Sequence, residues 1–177
     1  MAPNLLARRF RPEGLGQVWV SDITYLPGPD GWLYLTKVMD LGDRQILGWN
    51  LSQGMGAEET SVEAFRQAVA KRRPARGLLF HSDRGVQYAC EDFTGLLARH
   101  KVMSRKGNCW DNAPAESFFK TLKYELDIPG RYPSYSQARA AIFDYIEIWY
   151  NRQRLHSAIG YLTPVQAERK LQHQHAA

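Results

Sequence analysis

The chain has 177 residues, 44% of them hydrophobic and 23% charged, which describes one ordinary globular domain with enough apolar material for a core and excludes a disordered or collagen-like chain. Lys and Arg outnumber Asp and Glu by 23 to 18, a net charge of +5, which suits a polyanionic partner without requiring one. Only Cys90 and Cys109 are present, with no paired C-x-x-C, no signal peptide and no apolar run of spanning length, so a disulfide framework, a zinc site and a membrane segment are all disfavoured and a reducing cytoplasm fits.

Residues 17–26, rich in β-branched and aromatic types, predict a first strand that ends at the dense turn signal Pro27-Gly28-Pro29-Asp30-Gly31. Its pleat places Val18, Val20, Asp22, Thr24 and Leu26 on one side and Trp19, Ser21, Ile23 and Tyr25 on the other, so both faces are expected to be covered. Residues 32–38 and 46–51 follow as strands, and the short turns imply an antiparallel meander. The period then changes: Val62, Phe65 and Val69 recur at helical spacing within 57–73. Leu78-Leu79-Phe80 reads as a buried strand leading into His81-Ser82-Asp83-Arg84-Gly85, residues 91–100 as a helix, and Val102-Met103-Ser104 as a brief strand.

A basic loop with an aromatic and two amides follows, and Asn112 is placed to cap a helix over about 113–127. At ~100° per residue, Glu116, Lys120, Lys123 and Asp127 point one way, and Phe118, Leu122 and Leu126 the other. Ser134-Tyr135-Ser136-Gln137 matches a capping box for a helix carrying Ala138, Ile142, Tyr145, Ile146 and Trp149, and Thr163-Pro164-Val165-Gln166 matches a second. The order βββαβαβαα is a single α/β domain with helices packed on a mixed sheet. Residues 1–16 form a basic arm, 17–170 the core, and 171–177 a tail expected to fray.

Three acidic residues sit where chemistry is cheap to arrange: Asp22 within the first strand, Asp83 directly after the fourth, and Glu116 on the helix. If strands one and four are neighbours, the two aspartates approach at the sheet surface and the helix lays Glu116 over them. Such a cluster calls for divalent cations, and oxygen-only ligation selects Mg²⁺ or Mn²⁺. Two ions about 3.5–4 Å apart activate a nucleophilic oxygen and stabilise the leaving oxygen of a phosphoryl displacement. Taken singly, each carboxylate has a plainer reading: a backbone or arginine partner for Asp22, a turn residue for Asp83, a first-turn dipole carboxylate for Glu116.

The stretches 19–25 (WVSDITY), 81–88 (HSDRGVQY), 104–119 and 150–164 (YNRQRLHSAIGYLTP) resemble, in order and over nearly the whole chain, the integrase core of bacterial insertion-sequence transposases of the IS-three family. That family's catalytic domain is similar to retroviral integrase and ribonuclease-H-like in fold. The resemblance implies a D-D-E triad of Asp22, Asp83 and Glu116 holding two Mg²⁺ (or Mn²⁺) ions, with Lys123 two turns beyond the glutamate on terminal phosphates and Lys120 a neighbouring candidate. Arg105, Lys106, Asn108, Trp110 and Asn112 would form a DNA-facing loop, Trp110 either stacking on DNA or anchoring the loop. Arg152 and Arg154 either extend the basic surface or form a solvated helix end. His81 either supports Asp83 or packs as a structural histidine.

The implied partners are DNA, both element ends and target, a homo-oligomer on that DNA, and possibly a separate helix-turn-helix polypeptide, with the protein cytoplasmic and nucleoid-associated. The family usually carries a helical DNA-recognition region ahead of this core. The segment between Asp83 and Glu116 is also roughly three residues shorter than usual, and at ~3.3 Å per residue this removes about 10 Å of reach. Either the preceding helix ends early or the fifth strand is stunted. Three functions follow as expectations: cleavage with strand transfer, a non-catalytic DNA-binding or regulatory remnant that docks on a full-length transposase, and a nuclease that hydrolyses without joining.

Overall fold

The computed structural model describes residue 12 and residues 14–74, 77–83, 85–106, 113–126 and 131–175, with the backbone alone for 104–106 and 175. Five strands form one mixed sheet in the order β3-β2-β1-β4-β5. β1 (Val18–Pro27), β2 (Trp32–Asp40) and β3 (Ile46–Ser52) are the expected antiparallel meander, and β4 (Leu79–Ser82) and β5 (Met103–Lys106) extend it in parallel beside β1. A π-helical turn (Glu58–Val62) enters α1 (Glu63–Lys71), α2 (Val86–Ala89) and α3 (Glu91–Arg99) precede β5, and α4 (Ala113–Glu125), α5 (Tyr135–Phe143) and α6 (Pro164–His175) follow it.

The alternation of β1 sorts the helices. Val18, Val20 and Leu26 join Phe118, Phe119, Leu122, Ile142 and Tyr145 in a core under α4 and α5. Trp19 and Ile23 join Phe65, Phe80, Tyr88 and Phe93 in a second core under α1, α2 and α3. Both faces are therefore covered, as the mixed pleat of β1 requires, and Asp22 is on the α4 side by its period with Val20. On the other side α1 lies directly on β3: a Cβ at Gly48 would stand 2.1 Å from the Ala64 carbonyl oxygen, so only glycine permits the approach.

Several elements differ from the sequence expectation. The short α2 buries Tyr88 where only a turn was expected. α5 continues as a π-helical segment, Asp144–Tyr150, whose wider turn makes Tyr145 and Tyr150 share the buried face and leaves Trp149 44% exposed. α6 continues to His175, through residues expected to fray, because glutamines are good helix formers. The second capping box forms in full, with Thr163 and Gln166 exchanging reciprocal bonds of 3.2 and 3.0 Å, while at the first Ser134 Oγ caps by accepting from the Gln137 amide at 3.2 Å.

The fifth strand forms and is fully paired with β4 along its four residues, and α3 runs nearly its expected length. The turn between them is tight. Lys101 adopts a left-handed conformation (φ 54°), its amide donates to the Ala98 carbonyl at 3.0 Å, and the Val102 amide donates to the Leu97 carbonyl at 3.0 Å. This pair of bonds is a Schellman stop, completed by Leu97 and Val102 in the same core. A lysine there carries a steric penalty that glycine lacks. Lys101→Gly should raise stability by about 0.5–1 kcal/mol in urea unfolding, and Lys101→Val should lower it by at least about as much.

Candidate active site

β1 and β4 pair through three residues only, Val18 with Leu79, Trp19 with Phe80 and Val20 with His81. Continuing that register by two places Asp22, midway along β1, opposite Asp83, just past the carboxyl end of β4, where the pairing of these two parallel strands has stopped. Ligands enter open α/β sheets at such points. Asp22 is half-buried and accepts the Ile23 amide at 2.9 Å, whereas Asp83 is exposed and accepts the Gly85 amide at 2.9 Å, so it is also a turn residue. Glu116 stands exposed in the first turn of α4.

The three are electrically joined. Burial pushes the Asp22 carboxyl above its usual range, the Lys37 ammonium and the Ile23 amide pull it back, and the Asp83 and Glu116 carboxylates push it up again. Carboxylates that repel one another in this way form a hard, all-oxygen donor set suited to Mg²⁺ or Mn²⁺. Among the described residues no three His, Cys, Asp or Glu side chains already stand close enough to share an ion.

Two models of the integrase core domain match the sequence, over residues 12–109 and 99–164. The chain belongs to the integrase core domain family. It is 43% identical to the transposase InsF of insertion sequence IS3A from Escherichia coli K12, over 96% of this chain and 60% of that protein. It is also 43% identical to an uncharacterized 31 kDa protein of insertion element IS600 from Shigella sonnei, over 100% and 65%. These relatives place it among integrase cores of the IS3 family, and it spans between 60% and 65% of their length. Among solved structures it superposes on the simian T-cell lymphotropic virus intasome (TM-score 0.72, 17% identity, 89% of this chain and 56% of that one). The HTLV-2 integrase catalytic core in complex with magnesium also aligns (TM-score 0.65, 17% identity, 89% and 99%). The fold is thus that of retroviral integrase cores, ribonuclease-H-like.

In this integrase core Lys120 and Lys123 are exposed on α4, in one row with Glu116. Arg105 and Lys106 belong to β5 rather than to the loop after it, while Asn108, Trp110 and the capping residue Asn112 lie outside the described residues. Arg152 is exposed. Arg154 is engaged: its Nε donates to both Glu125 oxygens, at 2.8 and 3.0 Å, and a terminal nitrogen is 3.2 Å from His156 Nδ1. His81 is fully buried in β4, two residues before Asp83 and therefore on the same face of the strand.

The sequence reading passed over Lys37. It pairs with Asp22 across β1 and β2, is fully buried, and its Nζ has no hydrogen-bond partner among the described residues, lying 5.8 and 5.9 Å from the ring centres of Phe118 and Phe119. Ser21, beside Asp22, donates to the Lys37 carbonyl at 2.8 Å, so the Tyr88 hydroxyl, 2.7 Å away, donates to Ser21.

Burial lowers Lys37 from 10.5 to about 7, against the attraction of Asp22. The folded chain thus holds this proton less tightly than the unfolded chain. Between those values the unfolded state binds more protons, and stability rises with pH. Lys37→Met should flatten that rise and be more stable than the parent at pH 7 by about 1–4 kcal/mol, measured by urea unfolding at pH 7 and 9.

Proposed function

We propose that this chain is the catalytic domain of a transposase that cleaves DNA at an element's ends and joins the freed 3′ hydroxyl to target DNA. The observation that carries the reading is the register of β1 and β4, which sets Asp22 against Asp83 and leaves Glu116 on the helix above them, all within one electrostatic neighbourhood. The InsF relative is by name a transposase, and the HTLV-2 core is a magnesium complex. Asp22, Asp83 and Glu116 would hold the ions, either Mg²⁺ or Mn²⁺, two in number. Bound there, the metal supplies activation of the attacking oxygen and charge relief for the leaving oxygen.

The protein's own groups do the rest. Lys120 and Lys123, one and two turns beyond Glu116, bind phosphates and set the strand's position along α4. Arg105, Lys106 and Arg152 extend the basic surface, with Asn108, Trp110 and Asn112 as the loop that meets DNA. His81 packs beneath Asp83 and holds the end of β4 in place. Self-association on DNA belongs to the same reading, supported by trimeric and dimeric forms of the HTLV-2 core. Recognition of the element's ends falls to a helix-turn-helix segment of the same or another polypeptide. The setting is the cytoplasm, on the nucleoid; no described helix is long and apolar enough to cross a membrane.

Asp83→Asn should lower Mg²⁺-dependent cleavage and joining of terminal-repeat DNA by at least about 100-fold while the thermal unfolding midpoint holds. Unchanged activity in that variant would refute the assignment. DNA binding without any metal-dependent cleavage by the parent would leave the non-catalytic remnant, and cleavage without joined products would leave a nuclease. Lys123→Ala should weaken binding about equally for all sequences and reduce the slope of log affinity against log salt by about one.

A further inference from the structure

A cavity of about 430 Å³ opens beside α4, bounded by the turn between β2 and β3, by α4 itself, and by the segment after the π-helical end of α5. Its polar lining includes Arg44, Arg154, Ser117, Thr121, His156 and Tyr161, and no Asp or Glu is among its described lining residues. Its volume suits a group of small-molecule size rather than a bare ion.

The backbone around it is unusual. Among the described residues three that are not glycine have positive φ, and two of them, Arg44 (φ 64°) and Tyr161 (φ 58°), line this cavity. Gly160 (φ 75°) directly precedes Tyr161. Arginine and tyrosine are poor residues for left-handed backbone, which glycine or asparagine occupies more cheaply. Neighbours hold them there. Asp43, before Arg44, bonds the Gln45 amide at 2.9 Å and Arg72 at 2.6 Å. The Tyr161 amide donates to the His156 carbonyl at 2.9 Å, and the His156 amide donates to Leu162 at 3.0 Å. Strained backbone positions gathered on one pocket are a reason to ask what their side chains do there.

The charge agrees with the strain. Glu125 grips Arg154 through Nε, which directs the guanidinium, and Glu125 is itself outside the cavity wall. The positive field of both arginines reaches the wall: His156 is pushed down to about 4, first by burial and then by Arg154, with Arg44 contributing. Ser117 and Thr121 directly follow Glu116 and Lys120, so the cavity lies one ~100° step around α4 from the row that carries the proposed catalysis and phosphate contacts. Tyr161, 71% exposed, stands at the wall as an aromatic surface.

We propose that this cavity is a second DNA subsite, taking one nucleotide of a strand that runs along α4. Its phosphate lies between Arg44 and Arg154, hydrogen-bonded by the Ser117 and Thr121 hydroxyls, and its base stacks on Tyr161. Arginine forks suit phosphate oxygens, hydroxyls complete the shell, and an aromatic accepts any base, so the subsite positions a strand without reading its sequence. It rests on the DNA reading above.

The test uses the full chain and a fluorescent duplex with a single-stranded tail, titrated over a series of salt concentrations, with Arg44→Asn and Tyr161→Gly. Both replacements accept left-handed backbone, so neither adds strain, and thermal unfolding is followed in parallel. The expected result is binding weaker by about 5- to 10-fold in each. The salt slope should fall by about one in Arg44→Asn and stay unchanged in Tyr161→Gly. Tyr161→Gly should unfold at a higher temperature while binding more weakly, a combination that a purely structural role does not produce. If the parent binds and Tyr161→Gly binds equally well, the subsite is overturned and the DNA reading stands, whatever the fate of Arg44→Asn. If the parent binds no DNA, both fall.

Discussion

The candidate site depends on how far β1 and β4 stay together. Three paired positions bring the strands side by side, and the pairing then ends before Asp22 and Asp83 are reached. Had the ladder continued, those backbone groups would face each other across a closed sheet. Because it stops, two carboxylates stand at an open crevice with the register already set. α4, packed on the same face through Phe118, Phe119 and Leu122, carries Glu116, whose charge is felt at Asp22.

β2 contains two opposite treatments of a buried charge. At its end Asp40 is fully buried but thoroughly satisfied, by Gly16, Trp19, Gly42 and Arg72. Arg72 also binds Asp43 and Glu168, so the end of α1 clasps the β2–β3 turn to α6. This is a paired and hydrogen-bonded ion centre, the tolerable form of buried charge. Three residues earlier Lys37 has the rings of Phe118 and Phe119 beside it, the attraction of Asp22 and the repulsion of Arg44. The first arrangement holds the turn that presents Arg44. The second couples the charge of Asp22 to the seating of α4, since the same helix supplies the rings over Lys37 and the carboxylate of Glu116.

The segment 150–164 acts mainly as a clasp around these parts. Asn151 accepts the Ile46 amide at 2.9 Å and donates to the Ile46 carbonyl at 3.1 Å, satisfying β3 beside the irregularity where Met39 pairs with Ile46 and Val38 with Gly48. Arg154 fixes Glu125 at the end of α4, and Tyr145 and Trp149 donate to the same carboxylate at 2.9 and 3.1 Å. These bonds hold the Glu125 carboxyl below its usual range despite the upward push of burial. A motif that reads in sequence as a basic patch therefore stabilises α4 and, on its inner side, shapes a cavity.

Alternation in β1, helical spacing in α1, α3 and α4, and the caps at Ser134 and Thr163 were all legible in the residues, because each is set by local backbone preference and side-chain period. What could not be read depends on partners distant in the chain. β2 is covered on both faces, so period two gave no sign that Lys37 is sealed beneath α4. The turn before β5 rests on Lys101 in a left-handed conformation, which propensity disfavours and packing enforces. Trp149 and Tyr150 exchanged exposure because of a π-helical turn. By itself the sequence determined the elements, their order and the residues with chemistry to offer; the tertiary structure alone decided which charges are buried and which side chains share a cavity. Those depend on register and packing between segments up to about a hundred residues apart, such as Ile46 with Asn151, and no local rule encodes them.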